Sequence, residues 1–421
     1  MNATHPSLDI IGEESKALKG KRIVLGVTGS VAAYRSIDLA RKLMRRGAHV
    51  RVVLTRDAAD LVSLKLFHWA TGIEPVVDVG GDIEHVVFAR EYDGMVIAPA
   101  TANTIAKLAH GIADTSVTLV ALSMHGKGKP ILIVPVMHLN MYQSTITREN
   151  IERLRKLGYH ILEPVVEGDK AKIPSVEDIA LKTEAMILRG EDLRGLRVLV
   201  TAGPTREHLD PVRFLSNPSS GRMGVAIARE AFFRGAKVTL IHGPLCGISP
   251  PPWIKSISIT STKEMRDAVL DELDKEDYDI IVFAAAPVDY GFAKTSTTKI
   301  DSSTELTVRL TPTPKIIADA TRKAKTRKPS AVIVGFSAET VETDQELVER
   351  ARKKLDKYEV DIIIANNVAK PGIGFASKYN EVLIVTKTST EKIPKMTKEE
   401  IARIILDKAL EILGDRIRRN T

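Results

Sequence analysis

Apolar residues in the first half of the chain occur in short runs, such as Ile23–Leu25 and Ile131–Val134, and amphipathic stretches separate these runs. A short apolar run bounded by turn residues predicts a buried strand, whereas apolar residues spaced three and four apart predict a helix. The predicted strands are 22–28, 48–54, 93–98 and 130–134. The predicted helices are 31–46, 101–110, 141–157 and 176–189, and 170–174 is predicted to be a loop. This alternation predicts a doubly wound parallel sheet.

The second half repeats the same alternation after a charged, glycine-bracketed segment at 190–195. Its predicted strands are 196–201, 236–241, 278–284, 331–335 and 360–364. Its predicted helices are 219–234, 262–274, 314–324, 345–356 and a closing amphipathic helix at 397–413. The fold class is therefore α/β, with two tandem doubly wound parallel-sheet (Rossmann-like) domains at 1–190 and 191–421.

Composition narrows the class of protein. Of 421 residues, 44% are hydrophobic and 27% are charged, and no apolar run reaches the ~18 residues of a membrane span. Residues 1–21 are polar and do not form a secretory signal, so we expect a cytoplasmic protein. The single cysteine, Cys246, excludes an internal disulfide and is expected to be packed. The net charge of +8 is spread over helices without interleaved aromatics, which favours anionic small molecules over nucleic acid.

Each half contains a glycine-containing loop between a strand and a helix, at 26–34 and at 201–224. Such a loop directs backbone N–H groups and the positive end of a helix at one point, which suits a phosphate, although a plain tight turn explains either loop equally well. Neither half carries G-x-G-x-x-G or an acid at the end of its second strand, so a nicotinamide dinucleotide is disfavoured. Hydroxyls at Ser30 and Thr55 suit the phosphate monoester of a mononucleotide such as a flavin phosphate.

The segment 97–107 contains a strand that ends in small residues, Pro99 and Ala100. Small residues allow a planar ring to lie against the backbone. Thr101 and Asn103 follow, where each can bond the edge of such a ring while capping the next helix.

These motifs resemble those of known enzymes. Gly29 and Ser30 with 32–34, the run 99–104 and Pro135–Met137 resemble the flavin-dependent cysteine decarboxylases. The segments 201–207, 210–213 and 216–221 are similar to phosphopantothenate-cysteine ligase. Together, over residues 20 to 410, they resemble the bifunctional phosphopantothenoylcysteine decarboxylase/phosphopantothenate-cysteine ligases of coenzyme A synthesis. The resemblance implies a flavodoxin-like fold for the first domain.

For the first domain, the resemblance implies FMN as cofactor and His85 as the acid–base group. It assigns FMN binding to Gly29, Ser30, Thr55, Pro99, Ala100, Thr101 and Asn103. His138 stands where relatives have an asparagine that binds the substrate carboxylate, and Asn140 is the alternative. The flap of relatives supplies a proton-donating cysteine that this chain lacks, so Lys170, Lys172 and Glu167 are the candidates for that role. Without the resemblance, His85 is better explained as a structural histidine.

For the second domain, the resemblance implies that CTP activates the carboxylate of 4'-phosphopantothenate as an acyl-cytidylate, which cysteine then attacks. Asn217 and Lys299 are the implied catalytic residues. The implied substrate-binding residues are Gly203, Ser219, Ser220, Gly221, Ala285, Asp289 and Phe336, and 365–368 form another wall. The polyphosphate implies Mg²⁺, whose protein ligands are unknown. From the residues alone, 217–221 is a turn with a helix cap and Lys299 a solvated lysine.

Two alternatives remain from the sequence: a nicotinamide-dependent oxidoreductase and a non-catalytic flavin-binding regulatory subunit. CTP is not distinguished from ATP. The resemblance further implies a homo-oligomer with small molecules as partners, and the composition predicts neither nucleic acid nor a membrane as a partner.

Overall fold

The computed structural model describes residues 5–303, 305–370, 372, 374 and 377–420. The chain divides into two compact units, Met1–Gly190 and Glu191–Thr421. Within the described ranges, no helix combines the length and the apolar character that a membrane crossing requires.

The first unit alternates strands and helices. Its strands are β1 Arg22–Val27, β2 His49–Leu54, β3 Gly94–Ala100, β4 Ile131–Pro135, β5 Met137–His138, β6 His160–Ile161, β7 Val165–Glu167 and β8 Lys170–Lys172. Its α-helices are α1 Arg35–Arg45, α2 Arg56–Leu61, α3 Leu64–Thr71, α4 Glu84–Glu91, α5 Ala102–Ala109, α6 Ser116–Gly126, α7 Leu139–Gln143, α8 Thr145–Lys156 and α9 Val176–Arg189. Short 3₁₀ helices cover Pro6–Ile10 and Val31–Tyr34.

The main sheet of the first unit is parallel and has the strand order β2-β1-β3-β4-β6. This is the flavodoxin-like order, in which the connection reverses between β1 and β3 and leaves a crevice at their carboxyl ends. The strand β3 is buried along its whole length, which explains why its sequence is apolar without alternation. The same unit also has a smaller antiparallel sheet with the strand order β5-β8-β7.

The second unit is built on the same principle. Its strands are β9 Arg197–Ala202, β10 Arg206–His208, β11 Phe214–Ser216, β12 Lys237–His242, β13 Lys255–Ser258, β14 Ile280–Phe283, β15 Tyr290–Phe292, β16 Leu310–Pro312, β17 Val332–Glu339, β18 Ile362–Asn367, β19 Tyr379–Thr386 and β20 Thr390–Thr397. Its helices are α10 Arg222–Phe233, α11 Thr262–Lys275, α12 Ile316–Arg327, α13 Asp344–Tyr358 and α14 Lys398–Asn420.

The main sheet of the second unit has the order β13-β12-β9-β14-β17-β18-β19-β20. It is parallel from β13 to β18, and β19 and β20 are antiparallel. Alternate residues of β9 face opposite sides: Val198 and Val200 pack with α10 and α14, whereas Leu199 packs with α11, α12 and α13. Helices therefore cover both faces, and the carboxyl ends of the parallel strands meet at one edge.

Buried ion pairs join α14 to α10. Arg403 on α14 donates to Glu230 on α10 over 2.9 Å, and both side chains are buried. Arg234, directly after α10, is also buried and pairs with Asp192 and with Asp407 of α14. Because breaking one partner of a buried pair leaves an uncompensated charge, these pairs hold α14 in a fixed register on α10.

Several sequence predictions were wrong. Residues 170–172 form the strand β8 rather than a loop, because they pair with β5 and β7. The predicted helix 141–157 is two helices that break at Ser144, and the predicted helix 31–46 begins as a 3₁₀ turn. The second sheet is parallel from β13 to β18 as predicted, but the prediction lacked the two antiparallel strands β19 and β20 that extend it. Cys246 is exposed, not packed.

Candidate functional site

The first unit has a cavity of about 750 Å³ at the carboxyl ends of its central strands. Four of the predicted cofactor-binding residues line it: Gly29, Thr55, Thr101 and Asn103. Its other lining residues include Arg56, Asp57, Asp78, Thr104, Lys107, Asp114, Thr115 and Ser116. In the described part of the chain, Ser30, Pro99 and Ala100 are not among the lining residues.

Hydroxyl groups at the strand ends hold the loops around this cavity. Thr28, which is fully buried, donates to the carbonyl of Pro99 over 2.8 Å and accepts from the backbone N–H of Thr101 over 3.0 Å. It therefore ties the end of β1 to the end of β3. Thr28 was not predicted from the sequence, although a hydroxyl between a buried strand and a glycine was a signal for it.

Three predicted residues cap the helices that begin here. The hydroxyls of Ser30, Thr55 and Thr101 accept backbone N–H groups at 3.3, 3.3 and 3.4 Å. Thr101 also donates to the hydroxyl of Thr104. Within the described ranges, the hydroxyl hydrogens of Ser30 and Thr55 have no acceptor, so each can donate one hydrogen bond to a ligand.

Gly29 makes this loop close-packed. A Cβ at this position would lie 2.5 Å from Cβ of Asp57 at the start of α2, so a side chain does not fit without movement. The backbone of the loop therefore lies directly at the cavity wall.

His85 is the second residue of α4, and the residue before this helix has an unusual backbone conformation. Ile83 before it has φ 45° and ψ 48°, which is the left-handed region and is unfavourable for a β-branched residue. Nδ1 of His85 is buried and has no hydrogen-bond partner among the described residues. Since an unpaired buried polar atom is costly, this nitrogen is available to a ligand. His85 does not line the 750 Å³ cavity in the described part of the chain.

The predicted substrate residues of the first unit lie at the small antiparallel sheet. His138 in β5 pairs directly with Lys170 in β8, and both are exposed. The backbone N–H of Leu139 donates to the carbonyl of Asp169 over 2.9 Å. Lys172 forms an ion pair with Glu167 across the hairpin. Asn140 is exposed in α7. The hairpin that carries the three proton-donor candidates thus lies against the segment of His138.

The second unit has a cavity of about 420 Å³ that crosses the carboxyl edge of its sheet. Six predicted residues line it: Asn217, Ser219, Gly221, Ala285, Asp289 and Phe336. Asn366 of the predicted wall lines it too. Among the described residues, Gly203, Ser220 and Lys299 are not part of the lining.

Two loops meet at the start of α10. Gly203 and Gly221 are both left-handed, with φ of 75° and 79°, and a Cβ on Gly221 would lie 3.3 Å from the backbone of Gly203. A Cβ on Gly224 would lie 2.5 Å from Cβ of Ala202. The first turn of α10 is therefore packed directly on the end of β9, and the helix end faces the cavity.

Asn217 connects this helix start to the end of β14. Its side-chain amide donates to the carbonyls of Ala286 and Pro287 over 3.2 and 3.0 Å. No described group donates to its Oδ1, which is thus an available acceptor in the cavity wall. The two bonds fix the direction of this oxygen.

Asp210 fixes the loop that carries Lys299. The buried carboxylate of Asp210 accepts from the backbone N–H groups of Val212 and Arg213, each at 2.8 Å, and from that of Ile300 at 3.2 Å. Burial raises the pKa of Asp210, but these hydrogen bonds outweigh it, so the pKa lies below its usual value. Lys299 itself is exposed.

Cations surround the 420 Å³ cavity: Arg222, Lys315, Lys354 and Lys398 all line it. Lys315 forms an ion pair with Asp289, and Lys354 pairs with Glu339 over 2.6 Å. Lys398 is only 4% exposed, and burial together with the charge of Arg222 lowers its pKa to about 8. The sequence analysis missed all four. For Lys398 a signal existed, because a lysine at the first position of a helix opposes the helix dipole.

Two family models match the chain. The model described as DNA/pantothenate metabolism flavoprotein C-terminal domain matches residues 193–413, and the model described as Flavoprotein matches residues 11–188.

Curated relatives are similar over almost the whole chain. The coenzyme A biosynthesis bifunctional protein CoaBC of Thermococcus kodakarensis is 41% identical over 96% of this chain and 98% of its own length. The protein of the same name from Methanocaldococcus jannaschii is 37% identical over 97% and 98%. That of Escherichia coli strain K12 is 33% identical over 96% and 100%.

Solved structures are similar to parts of the chain. The C-terminal domain of a coenzyme A biosynthesis bifunctional protein CoaBC is 32% identical, covers 53% of this chain and 99% of its own, and has a TM-score of 0.44. The FMN-dependent cysteine decarboxylase SpaF is 30% identical, covers 41% of this chain and 98% of its own, and has a TM-score of 0.38.

Proposed function

The chain belongs to the family of bifunctional coenzyme A biosynthesis proteins, and we propose that it joins 4'-phosphopantothenate to cysteine and then decarboxylates the product to 4'-phosphopantetheine. Residues 191–421 would carry the CTP-dependent ligation and residues 1–190 the FMN-dependent decarboxylation. The observation that carries this division is that each compact unit has its own cavity at the carboxyl ends of its strands.

The residues of the first cavity fit FMN. Gly29 lines the cavity and packs against Asp57 without a side chain of its own, so a flat or anionic group can lie close to the loop backbone. Thr55 has a free hydroxyl hydrogen to donate, and Thr101 and Asn103 line the opposite loop. When bound, FMN would supply a two-electron acceptor for the cysteinyl thiol of the substrate. Ser30, Pro99 and Ala100 remain proposed cofactor residues.

His85 would act as the acid–base group of the decarboxylation. Its buried Nδ1 has no hydrogen-bond partner among the described residues, so this nitrogen can form a hydrogen bond with the substrate or accept a proton. His138 or Asn140 would bind the substrate carboxylate. One hydrogen-bond donor is enough for this, and each of the two side chains has one.

Among the three proton-donor candidates, the strand pairing favours Lys170. It lies directly opposite His138, where side chains across a ladder are neighbours. Lys172 and Glu167 instead neutralise one another in an ion pair. Lys170 is thus an exposed cation beside the proposed carboxylate site.

In the ligation, Asn217 would stabilise the acyl-nucleotide through its oriented Oδ1, since its two amide hydrogens are donated to Ala286 and Pro287. Ser219, Ser220, Gly203 and Gly221 would bind phosphate groups at the start of α10. Ala285, Asp289 and Phe336 would bind the nucleotide, with Lys299 neutralising charge on the leaving phosphate from its loop tied to Asp210. The described residues contain no group of three or more His, Cys, Asp or Glu side chains that could hold a metal, so Mg²⁺ would be bound mainly by the polyphosphate.

Two matched variants test the proposal. With FMN, CTP, Mg²⁺, cysteine and 4'-phosphopantothenate, the natural chain should yield 4'-phosphopantetheine, detected by mass spectrometry. His85→Gln should instead accumulate 4'-phosphopantothenoylcysteine, and Asn217→Ala should leave 4'-phosphopantothenate unconverted. Production of 4'-phosphopantetheine by either variant at the natural rate contradicts the proposed residue roles.

The same purified protein separates the alternatives. A nicotinamide-dependent oxidoreductase would lack the visible absorbance of a flavin, and a regulatory subunit would bind FMN without product. ATP in place of CTP tests the nucleotide preference. The proposed homo-oligomer is tested by mass spectrometry under native conditions.

A further inference from the structure

The loop that follows β14, residues 284–289 and here named the β14 loop, holds Asn217 in place. The carbonyls of Ala286 and Pro287 accept the two amide hydrogens of Asn217 over 3.2 and 3.0 Å. The same loop contains two of the proposed nucleotide-binding residues. Groups that fix the β14 loop therefore fix both the direction of the Asn217 Oδ1 and the nucleotide site.

The residues that follow β9 support the β14 loop from one side. The carbonyl of Gly203 accepts the backbone N–H of Ala286 over 2.9 Å. The hydroxyl of Thr205 accepts the backbone N–H of Val288, also over 2.9 Å. Because Thr205 makes this contact through its side chain, a substitution removes the contact and leaves the backbone chemistry unchanged.

Thr205 also contacts the segment that carries Asn217. The hydroxyl of Ser216 donates to the carbonyl of Thr205 over 2.8 Å, and Ser216 directly precedes Asn217. The hydrogen bonds thus close a ring that runs from Thr205 through Ser216 and Asn217 to the β14 loop, and back to the Thr205 hydroxyl. A polar network whose members are all satisfied is rigid, so the ring fixes Asn217 relative to its acceptors.

A second threonine completes the bonding of the Thr205 hydroxyl. The hydroxyl oxygens of Thr205 and Thr262 are 2.8 Å apart, and the Thr262 hydroxyl donates to the carbonyl of Val288 over a longer 3.5 Å. When Thr205 donates to Thr262, each of these hydrogens has an acceptor. Thr205 is fully buried and Thr262 is 1% exposed, so water cannot replace either hydroxyl. Loss of the Thr205 hydroxyl would leave a buried N–H of the β14 loop unpaired.

We propose that Thr205 is a positioning residue of the ligation, which acts through Asn217 and the β14 loop. This inference rests on the proposed ligase function. Among the described residues, Thr205 is not part of the lining of the 420 Å³ cavity, so its effect on the reaction passes through the groups that it bonds.

The test compares Thr205→Val with the natural chain in pyrophosphate release. Valine has nearly the shape of threonine but no hydroxyl, so the N–H of Val288 loses its acceptor and the β14 loop shifts. A misplacement on the order of 1 Å slows a reaction by roughly 100-fold, so kcat should fall by about 10- to 100-fold. KM for CTP should rise about tenfold, because the loop carries Ala285 and Asp289. KM for 4'-phosphopantothenate and KM for cysteine should stay unchanged.

Two further variants separate position from stability. Thr205→Ser keeps the hydroxyl and should recover most of kcat and of the affinity for CTP. Thr239→Val removes another buried hydroxyl of the same unit, which accepts from Tyr278 over 2.9 Å and lies outside the cavity lining of the described residues. It should leave KM for CTP unchanged, because loss of folded protein lowers kcat alone. An unchanged KM for CTP in Thr205→Val, equal rises for all substrates, or no recovery in Thr205→Ser would each overturn the positioning role.

Hydrogen exchange distinguishes failure of the positioning role from failure of the proposed function. Exchange of the full chain, followed by mass spectrometry of peptides that cover 284–289, needs no turnover. Thr205→Val should speed exchange in this loop about tenfold or more, and Thr239→Val should not. If the natural chain releases no pyrophosphate but Thr205→Val speeds exchange, Thr205 still positions the loop and only the ligase function fails. If exchange in Thr205→Val equals that of the natural chain, the positioning role fails whatever the activity.

Discussion

Gly224 lies in the first turn of α10. Adding one methyl group there tests whether the close packing of this turn is needed for the chemistry at the end of the helix. A Cβ at Gly224 would lie 2.5 Å from Cβ of Ala202, 2.8 Å from the carbonyl oxygen of Thr201 and 3.0 Å from Cα of Ala202. These contacts are mostly with backbone, which cannot turn aside as a flexible side chain can. In Gly224→Ala, the start of α10 must therefore move away from β9.

The size of the effect follows from two opposing terms. Alanine favours a helix over glycine by about 1 kcal/mol, whereas overpacking a tight contact costs about 1–3 kcal/mol. Carbon atoms in contact prefer about 3.5–4.0 Å, so a contact of 2.5 Å requires a shift on the order of 1 Å. The net loss of unfolding free energy should be up to about 2 kcal/mol. A 1 Å displacement of the phosphate-binding turn should slow pyrophosphate release by roughly 100-fold.

Gly414→Ala is the matched control in the same unit. Its Cβ would meet only Nη2 of Arg418, at 4.0 Å, so the control should gain up to about 1 kcal/mol and retain full activity. The chain has two tryptophans, and Trp253 stacks on Phe232 of α10 with ring centroids 5.9 Å apart. In a Trp69→Phe background, Trp253 fluorescence during denaturation reports on this unit alone. The packing argument is refuted if Gly224→Ala proves as stable and as active as Gly414→Ala.

Three further predictions concern buried polar groups. The pKa of Lys398 is lowered from 10.5 to about 8 in the folded chain, so the unfolded state binds more protons between these two pH values. The unfolding free energy of the natural chain relative to Lys398→Met should therefore rise by up to about 3 kcal/mol from pH 8 to pH 10.5. If denaturant titrations show the same difference at both pH values, this prediction is contradicted. Asp210→Asn removes charge from the carboxylate that accepts the N–H of Ile300, so pyrophosphate release should fall about tenfold with KM for cysteine unchanged, and an unaltered rate would count against the loop's role. Thr28→Val leaves the carbonyl of Pro99 without its donor, so the first unit should lose about 1–3 kcal/mol of stability and bind FMN more weakly, as flavin absorbance after gel filtration would reveal.

The buried strands were predictable because their chemistry is local. The strand β3 is apolar throughout and buried throughout, and β9 is buried from Val198 to Ala202. The strand β20 was not predicted, since at the sheet edge it surrounds buried Ile393 with exposed residues and gives no apolar run. The strand β19 was not predicted either, although its Val382–Val385 is a buried apolar run. Lys170–Lys172 looked like a loop because only its pairing with β5 and β7 makes it a strand.

The cavity residues also divide into those that a local motif predicts and those that only tertiary packing brings together. Asn217, Ser219 and Gly221 belong to one continuous motif, and the structure brings them together in one cavity wall. Lys398 joins that wall from the far end of the chain, because α14 packs on α10 through buried ion pairs. Such a contact depends on tertiary packing, which a single sequence does not display.

If one polypeptide performs the two reactions in order, the carboxyl carbon of cysteine must leave as carbon dioxide only after ligation. The chain with FMN, CTP, Mg²⁺ and 4'-phosphopantothenate is given cysteine labelled at that carbon, and pyrophosphate and labelled carbon dioxide are measured over time. Pyrophosphate should appear first, an equal amount of labelled carbon dioxide should follow, and omission of CTP should abolish both. Labelled carbon dioxide without CTP, or pyrophosphate that is never followed by labelled carbon dioxide, would show that the two reactions are not coupled in this chain.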